Sequence, residues 1–116
     1  MKERILICGG REYHDREYFY ERMNYARKWF AEQFLVIQGG ARGADRLAAV
    51  WSFEVGCAMM QMPANWYLFD TKAGAIRNAW MLKWAQPDLV IAFPGGSGTA
   101  NMVGLATKAS IDIWKP

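Results

Sequence analysis

The sequence predicts an α/β fold: a single domain with a doubly wound parallel sheet of about five strands and helices on both faces. Three observations carry this. Short apolar runs alternate with stretches of helical spacing along all 116 residues. Two of the runs, Phe34–Gln38 and Leu89–Phe93, are almost wholly apolar, as strands covered on both faces are. Glycine pairs close the first and second runs and a glycine cluster follows the fourth. That places pliable backbone at the strand ends where such sheets bind ligands.

The first strand is Arg4 to Cys8, closed by Gly9-Gly10. Asp15 offers an N-cap for a helix over Arg16 to Gln33. Its stripe of Phe19, Met23, Ala26 and Phe30 has the spacing of one helical face. Phe34 to Gln38 is the second strand and ends in Gly39-Gly40. The second helix runs from Gly43 to Val55 with Ala44, Leu47, Ala48, Trp51 and Val55 on one side, and Gly56 stops it. Cys57 to Met62 is the third strand, ended by Pro63. Ala64 to Lys72 reads as a longer loop holding Trp66, Tyr67 and Phe69. A helix over Ala73 to Ala85 follows, then Pro87 and the fourth strand, Asp88 to Phe93. A last helix over Thr99 to Ala109 presents Met102, Val103 and Ala106, and Ile111 to Trp114 is a short fifth strand.

Hydrophobic residues make up 53% of the chain, enough for a core at this length, and six Trp, six Phe and seven Met make it bulky. Trp29, Trp51, Trp80 and Trp84 fall at helical positions and read as core or interface. The net charge is +3 and the pI about 9.0. This balance favours small anionic ligands, while the scattered Lys and Arg lack the stripe of a nucleic-acid surface. Arg22, Arg27 and Lys28 read as a solvated helix face. One His and two distant Cys make no metal site. Cys8 and Cys57 read as buried free thiols, which fits a reducing, cytoplasmic location. No apolar run is long enough to span a bilayer and no targeting segment is expected. The aromatic surplus also allows a homo-oligomer interface.

The most informative stretch is Pro94-Gly95-Gly96-Ser97-Gly98-Thr99, which joins the fourth strand to a helix. Three glycines in four residues let backbone approach a ligand and turn N–H groups toward an anion. In a sheet of order 3-2-1-4-5, the loops after strands one, two and four gather at the switch point. Other phosphate motifs fit poorly. No loop carries the lysine of Gly-x-x-x-x-Gly-Lys-Ser/Thr. The fingerprint Gly-x-Gly-x-x-Gly would place its third glycine at Asn101, and it belongs after the first strand.

Five blocks together resemble the YspA/YpsA-related branch of the SLOG superfamily, which is named for its Smf/DprA-like and LOG-like members. They are Gly9-Gly10-Arg11-Glu12-Tyr13, the run Gly39-Gly40-Ala41-Arg42-Gly43-Ala44-Asp45, Pro63-Ala64-Asn65-Trp66, Ala73-Gly74-Ala75-Ile76-Arg77-Asn78 with Met81, and Phe93 to Asn101. They occur in order and cover nearly the whole chain. The resemblance implies a Rossmann-like fold that binds nucleotides or nucleotide-derived ligands, in a family of bacterial and phage proteins. It also implies a comparison with LOG-like phosphoribohydrolases. Their loop reads Pro-Gly-Gly-x-Gly-Thr-x-x-Glu, with a catalytic Glu where this chain has Met102.

Each candidate has a plain structural reading beside the functional one. Pro94, Gly95, Gly96 and Gly98 form either a tight turn or a phosphate cradle, and Thr99 either caps the helix or meets a phosphate oxygen, with Ser97 beside it. Gly39, Gly40, Ala41, Gly43 and Ala44 lead into the second helix in the same way. Asp45 in its first turn either complements the dipole or accepts a ribose hydroxyl and activates water. Arg77 reads as early in its helix, where the dipole disfavours a cation, so an anionic partner is expected, a ligand phosphate ahead of a structural carboxylate. Asn78 bonds ligand or caps a loop. Gly9, Gly10 and Arg11 follow the first strand into the same pocket, and Tyr13 stacks on a base or packs over the loop. His14 reads as a surface residue and Trp66 as a lid or a loop anchor.

The favoured function is binding of a nucleotide or an ADP-ribose-like ligand by a sensor or sequestering module that requires no cofactor. The alternative is a nucleotide hydrolase, cleaving an N-glycosidic or a phosphoester bond, in which Arg77 holds phosphate and Asp45 activates water or stabilises positive charge on the ribose. A third reading, single-stranded DNA binding like DprA-like relatives, has the weakest footing, because no basic stripe interleaved with aromatics is visible.

Overall fold

A computed structural model describes residues 3–30 and 33–116. Its strands are β1 (Arg4–Cys8), β2 (Leu35–Gln38), β3 (Met59–Gln61), β4 (Leu89–Ala92) and β5 (Asp112–Trp114). They form one sheet in the order β3-β2-β1-β4-β5, parallel throughout. The register puts Ile5 beside Val36 of β2 and Leu89 of β4. The helices are α1 (Arg16–Trp29), α2 (Ala44–Val55), α3 (Trp66–Phe69), α4 (Ala73–Trp80) and α5 (Ser97–Lys108).

The two-residue period of the strands divides the core in two. Ile5, Ile7, Val36, Leu89 and Ile91 face one way, against Phe19, Met23 and Ala26 of α1 and Ala48 and Trp51 of α2. Leu6, Cys8, Ile37, Val90 and Ala92 face the other way, against Met81, Ala85, Met102 and Ala106. The predicted doubly wound architecture is present, and the strand order is the one assumed for the clustering of the loops.

Local signals account for the helix ends. The Asp15 side chain accepts from the Tyr18 amide at 3.1 Å and opens α1. Gly56 closes α2 in the left-handed conformation, φ 75°. Several boundaries differ from expectation. The first helix stops at Trp29 instead of Gln33, with Phe30 as its C-cap, and residues 31 and 32 of the expected span lie outside the described residues. The expected loop 64–72 contains α3, whose cap is Asn65, and a 3-10 turn over Asp70–Lys72. Beyond Trp80 the helix widens to a π turn over Met81–Ala85 and ends at Gln86, φ 50°, ahead of Pro87.

Among the tryptophans only Trp51 is core, at 0% exposure, with its indole N–H on Asn24. Trp29 and Trp84 are 62% and 66% exposed and Trp80 is exposed as well. α4 and the turn after it bury Ala73, Asn78, Met81 and Ala85, which leaves Trp80 and Trp84 on the outward side.

Candidate functional site

β1 and β4 are neighbours, yet the chain leaves β1 for α1 on one face and β4 for α5 on the other. Diverging exits open a crevice at the carboxyl ends of the strands. Here it is a cavity of about 970 Å³.

Its rim is backbone. The Gly10 amide donates to the Pro94 carbonyl at 2.9 Å. A Cβ at Gly95 would overlap Thr99 Oγ1 and come within 2.6 Å of Gly10 N, so only glycine lets the two loops meet. α5 begins at Ser97, two residues before the expected Thr99. Its N-cap, Gly96, has no side chain to offer, and its first turn carries no acidic residue. The opening amides of α5 are therefore left without side-chain acceptors at the positive end of the helix. Thr99 packs against Gly95 and does not cap.

The floor is built from Cys8, Asp45, Arg77 and Met102. Asp45 is buried, and its Oδ2 accepts from the Ala41 amide at 3.2 Å. Burial pushes its carboxyl above the usual carboxylate range, while the Ala41 amide and then the Arg77 guanidinium pull it back. Burial likewise lowers Arg77, against the stabilising charge of Asp45. Burial and then Asp45 push the Cys8 thiol up to about 12, which favours the neutral thiol over the thiolate.

Arg77 joins the loops. Its Nη1 donates to the Gly39 carbonyl at 2.6 Å and its Nε to Asn78 Oδ1 at 2.9 Å. Asn78 Nδ2 donates in turn to the Gly98 carbonyl at 3.2 Å and to Asn101 Oδ1 at 3.0 Å. A polar relay thus runs from the end of β2 to the first turn of α5. The dipole argument for Arg77 loses its force: Arg77 lies one turn into a helix that runs on through the π turn to Ala85, away from both ends, where the dipole acts only weakly.

Of the residues singled out from sequence, Gly9, Gly10, Arg11, Tyr13, Ala41, Asp45, Arg77, Asn78 and Pro94 through Thr99 line the cavity. Gly39 and Gly40 line a smaller adjoining chamber of about 200 Å³. Gly43 and Ala44 line neither. Gly43, at φ 80°, packs on the Gly10 carbonyl, and the Ala44 amide donates to that carbonyl at 3.2 Å. Both brace the first loop from behind. The Tyr13 ring packs against Phe19 and Phe93, and its hydroxyl is buried without a protein partner. Trp66 lines the cavity with the Arg11 guanidinium 5.0 Å from its ring centroid. His14 is exposed, with Nδ1 2.9 Å from the Glu12 carbonyl.

Sequence reasoning missed Thr71, Gly74 and Asn101, which also line the cavity. For Thr71 no local signal exists, since it reaches the site through the turn after α3, whereas Gly74, in the first turn of α4, stood in the block that also holds Arg77. Asn101 was legible as part of the glycine loop's block, although its bond to Asn78 was not. Among the described residues, no cluster of three His, Cys, Asp or Glu side chains is placed to hold a metal. No described helix is long and apolar enough to cross a membrane.

The sheet order and the backbone-rimmed crevice define a Rossmann-like domain with a cavity at the switch point. A family model described as the YspA, cpYpsA-related SLOG family matches residues 3–69. The chain is also 32% identical over 117 residues to Gene 61 protein of Mycobacterium phage D29, an alignment spanning 95% of this chain and 93% of that one. The chain belongs to the YspA, cpYpsA-related SLOG family.

Proposed function

We propose that this protein binds a nucleotide-derived ligand carrying phosphate and ribose, as a sensor or sequestering module. One observation carries the reading: the uncapped first turn of α5, free of acidic residues, opens onto the switch-point cavity. A phosphoryl group there meets N–H donors and the helix dipole together. The cavity, at about 970 Å³, has room for a base and sugar beyond that phosphoryl group. Membership of a SLOG family supports a nucleotide-related role. Thermal denaturation against AMP, NAD, ADP-ribose and cyclic nucleotides tests this. A ligand at about 100 times its Kd adds roughly 2.7 kcal/mol, which raises Tm by roughly 10–20 °C at about 4–8 °C per kcal/mol. No shift with any of them contradicts the reading.

A second reading, cleavage of the N-glycosidic bond, is favoured by the buried, raised carboxyl of Asp45 beside Arg77. In it Asp45 takes a proton from water as the water oxygen bonds to the anomeric carbon and the base departs with the C–N electron pair. Met102, buried against the α5 face of the sheet, supplies no carboxylate where LOG-like hydrolases have one. Chromatography of incubated nucleotides decides between the readings. Cleavage that survives Asp45→Ala undiminished removes Asp45 from it.

A further inference from the structure

The smaller chamber lies on the β2 side of Arg77. Arg11, Arg77, Trp66 and the Gly39-Gly40-Ala41 backbone form its walls, and no carboxylate lines it. Its volume of about 200 Å³ compares with roughly 30 Å³ for one water, so it suits a small group. Arg11, Trp66 and Arg77 line the large cavity as well, so the two spaces adjoin at these side chains.

The two arginines are short of negative charge. The ion pairs among the described residues are Arg16–Glu54, Arg22–Glu21 and Arg42–Glu12, and neither Arg11 nor Arg77 takes part in one. Arg11 lies over the Trp66 ring. Arg77 donates to Gly39 and Asn78, which leaves other N–H groups of its five uncommitted. The guanidinium groups are close enough for the charge of Arg11 to disfavour that of Arg77, and Asp45 is the carboxylate acting on both. Two cations held together with one carboxylate favour an incoming anion, and guanidinium groups match phosphoryl oxygens in pairs.

We propose that the smaller chamber is a second anion subsite, taking a phosphoryl group of the same ligand whose first phosphoryl group lies at the start of α5. This rests on the reading of the large cavity given above. The ligand is then a nucleotide derivative with phosphoryl groups at two separated positions, and a monophosphate fills only half of the site.

Inorganic phosphate tests this without knowledge of the base. The full chain, labelled with ¹⁵N, is titrated while the amide signals of Gly95 to Thr99 and the Nε–H signals of Arg11 and Arg77 are followed. The expected result is two saturable curves with different midpoints, one for each set, with Arg11→Gln abolishing the second. The dispersion of the same spectrum shows that the variant is folded. If the α5 amides move while the arginine signals stay, the second subsite is wrong and the large-cavity reading stands. Movement of the arginine signals alone overturns the large-cavity reading and the two-phosphoryl ligand with it. One shared curve, or a second curve that survives Arg11→Gln, also overturns the proposal. Silence from both sets at saturating phosphate overturns both readings.

Discussion

Arg77 occupies the space that a side chain on Gly39 would need. A Cβ built at Gly39 would overlap the Arg77 guanidinium and stand 3.0 Å from Asp45 Oδ2. The absence of a side chain at one residue thus lets a cation 38 positions later lie across the end of β2 and bond to its carbonyl. Gly39 has an ordinary backbone conformation, unlike Gly40 and Gly43, so the requirement is for space.

Gly39→Ala therefore displaces Arg77 without straining the backbone. The variant loses a charge-assisted hydrogen bond, and urea unfolding is expected to show a loss of about 1–3 kcal/mol. In an Arg77→Ala background most of that loss disappears, because the methyl group then has room. A loss of equal size in both backgrounds places the cost in the backbone and contradicts the relationship.

Asp45 gives stability a pH dependence with a defined sign. Burial raises its carboxyl above the value of about 3.9 expected in the unfolded chain. Protonation then favours the folded state. That contribution is complete below about pH 3.9 and is lost as pH rises through the raised native value. Asp45→Asn removes it, so the stability of Asn relative to Asp increases with pH across that window and is flat above it. Urea midpoints measured from about pH 3.5 to about pH 8 show this. A difference that is constant or declines is inconsistent with a carboxyl raised by burial.

The buried Tyr13 hydroxyl has no protein partner, while its ring keeps contacts with Phe19 and Phe93. An unpaired buried hydroxyl costs about 1–3 kcal/mol in desolvation. Tyr13→Phe keeps the ring and removes that cost, so the ligand-free variant is expected to melt several degrees higher, at about 4–8 °C per kcal/mol. A lower Tm shows that the hydroxyl is paired in solution.

Much of this was legible in the chain because it is encoded locally. The apolar runs of β1, β2 and β4 record strands covered on both faces. Asp15 and Gly56 announce helix ends through their own side-chain and backbone preferences. The start of α5 was read two residues late because Gly96 caps it without a side chain, leaving no residue-type signal. Trp80 and Trp84, read as core or interface, are not core, because helical spacing defines a face without saying which face meets the sheet. The relay from Gly39 through Arg77 and Asn78 to Gly98 joins residues dozens of positions apart, and no local pattern reports it.

The central claim, that a ligand phosphoryl group lies at the first turn of α5, is tested most directly at Ser97. This residue is exposed and begins the helix. Ser97→Asp places a carboxylate where the phosphoryl group is expected. In the ligand-free protein the new charge complements the helix dipole and stabilises by about 0.3–1 kcal/mol. Calorimetric titration with the tightest nucleotide from the thermal panel is then compared between wild type and variant. Ser97→Asp is expected to bind about tenfold or more weakly, a change of about 1.4 kcal/mol, although it is the more stable protein. Equal affinity in the two proteins would place the phosphoryl group elsewhere and contradict the account.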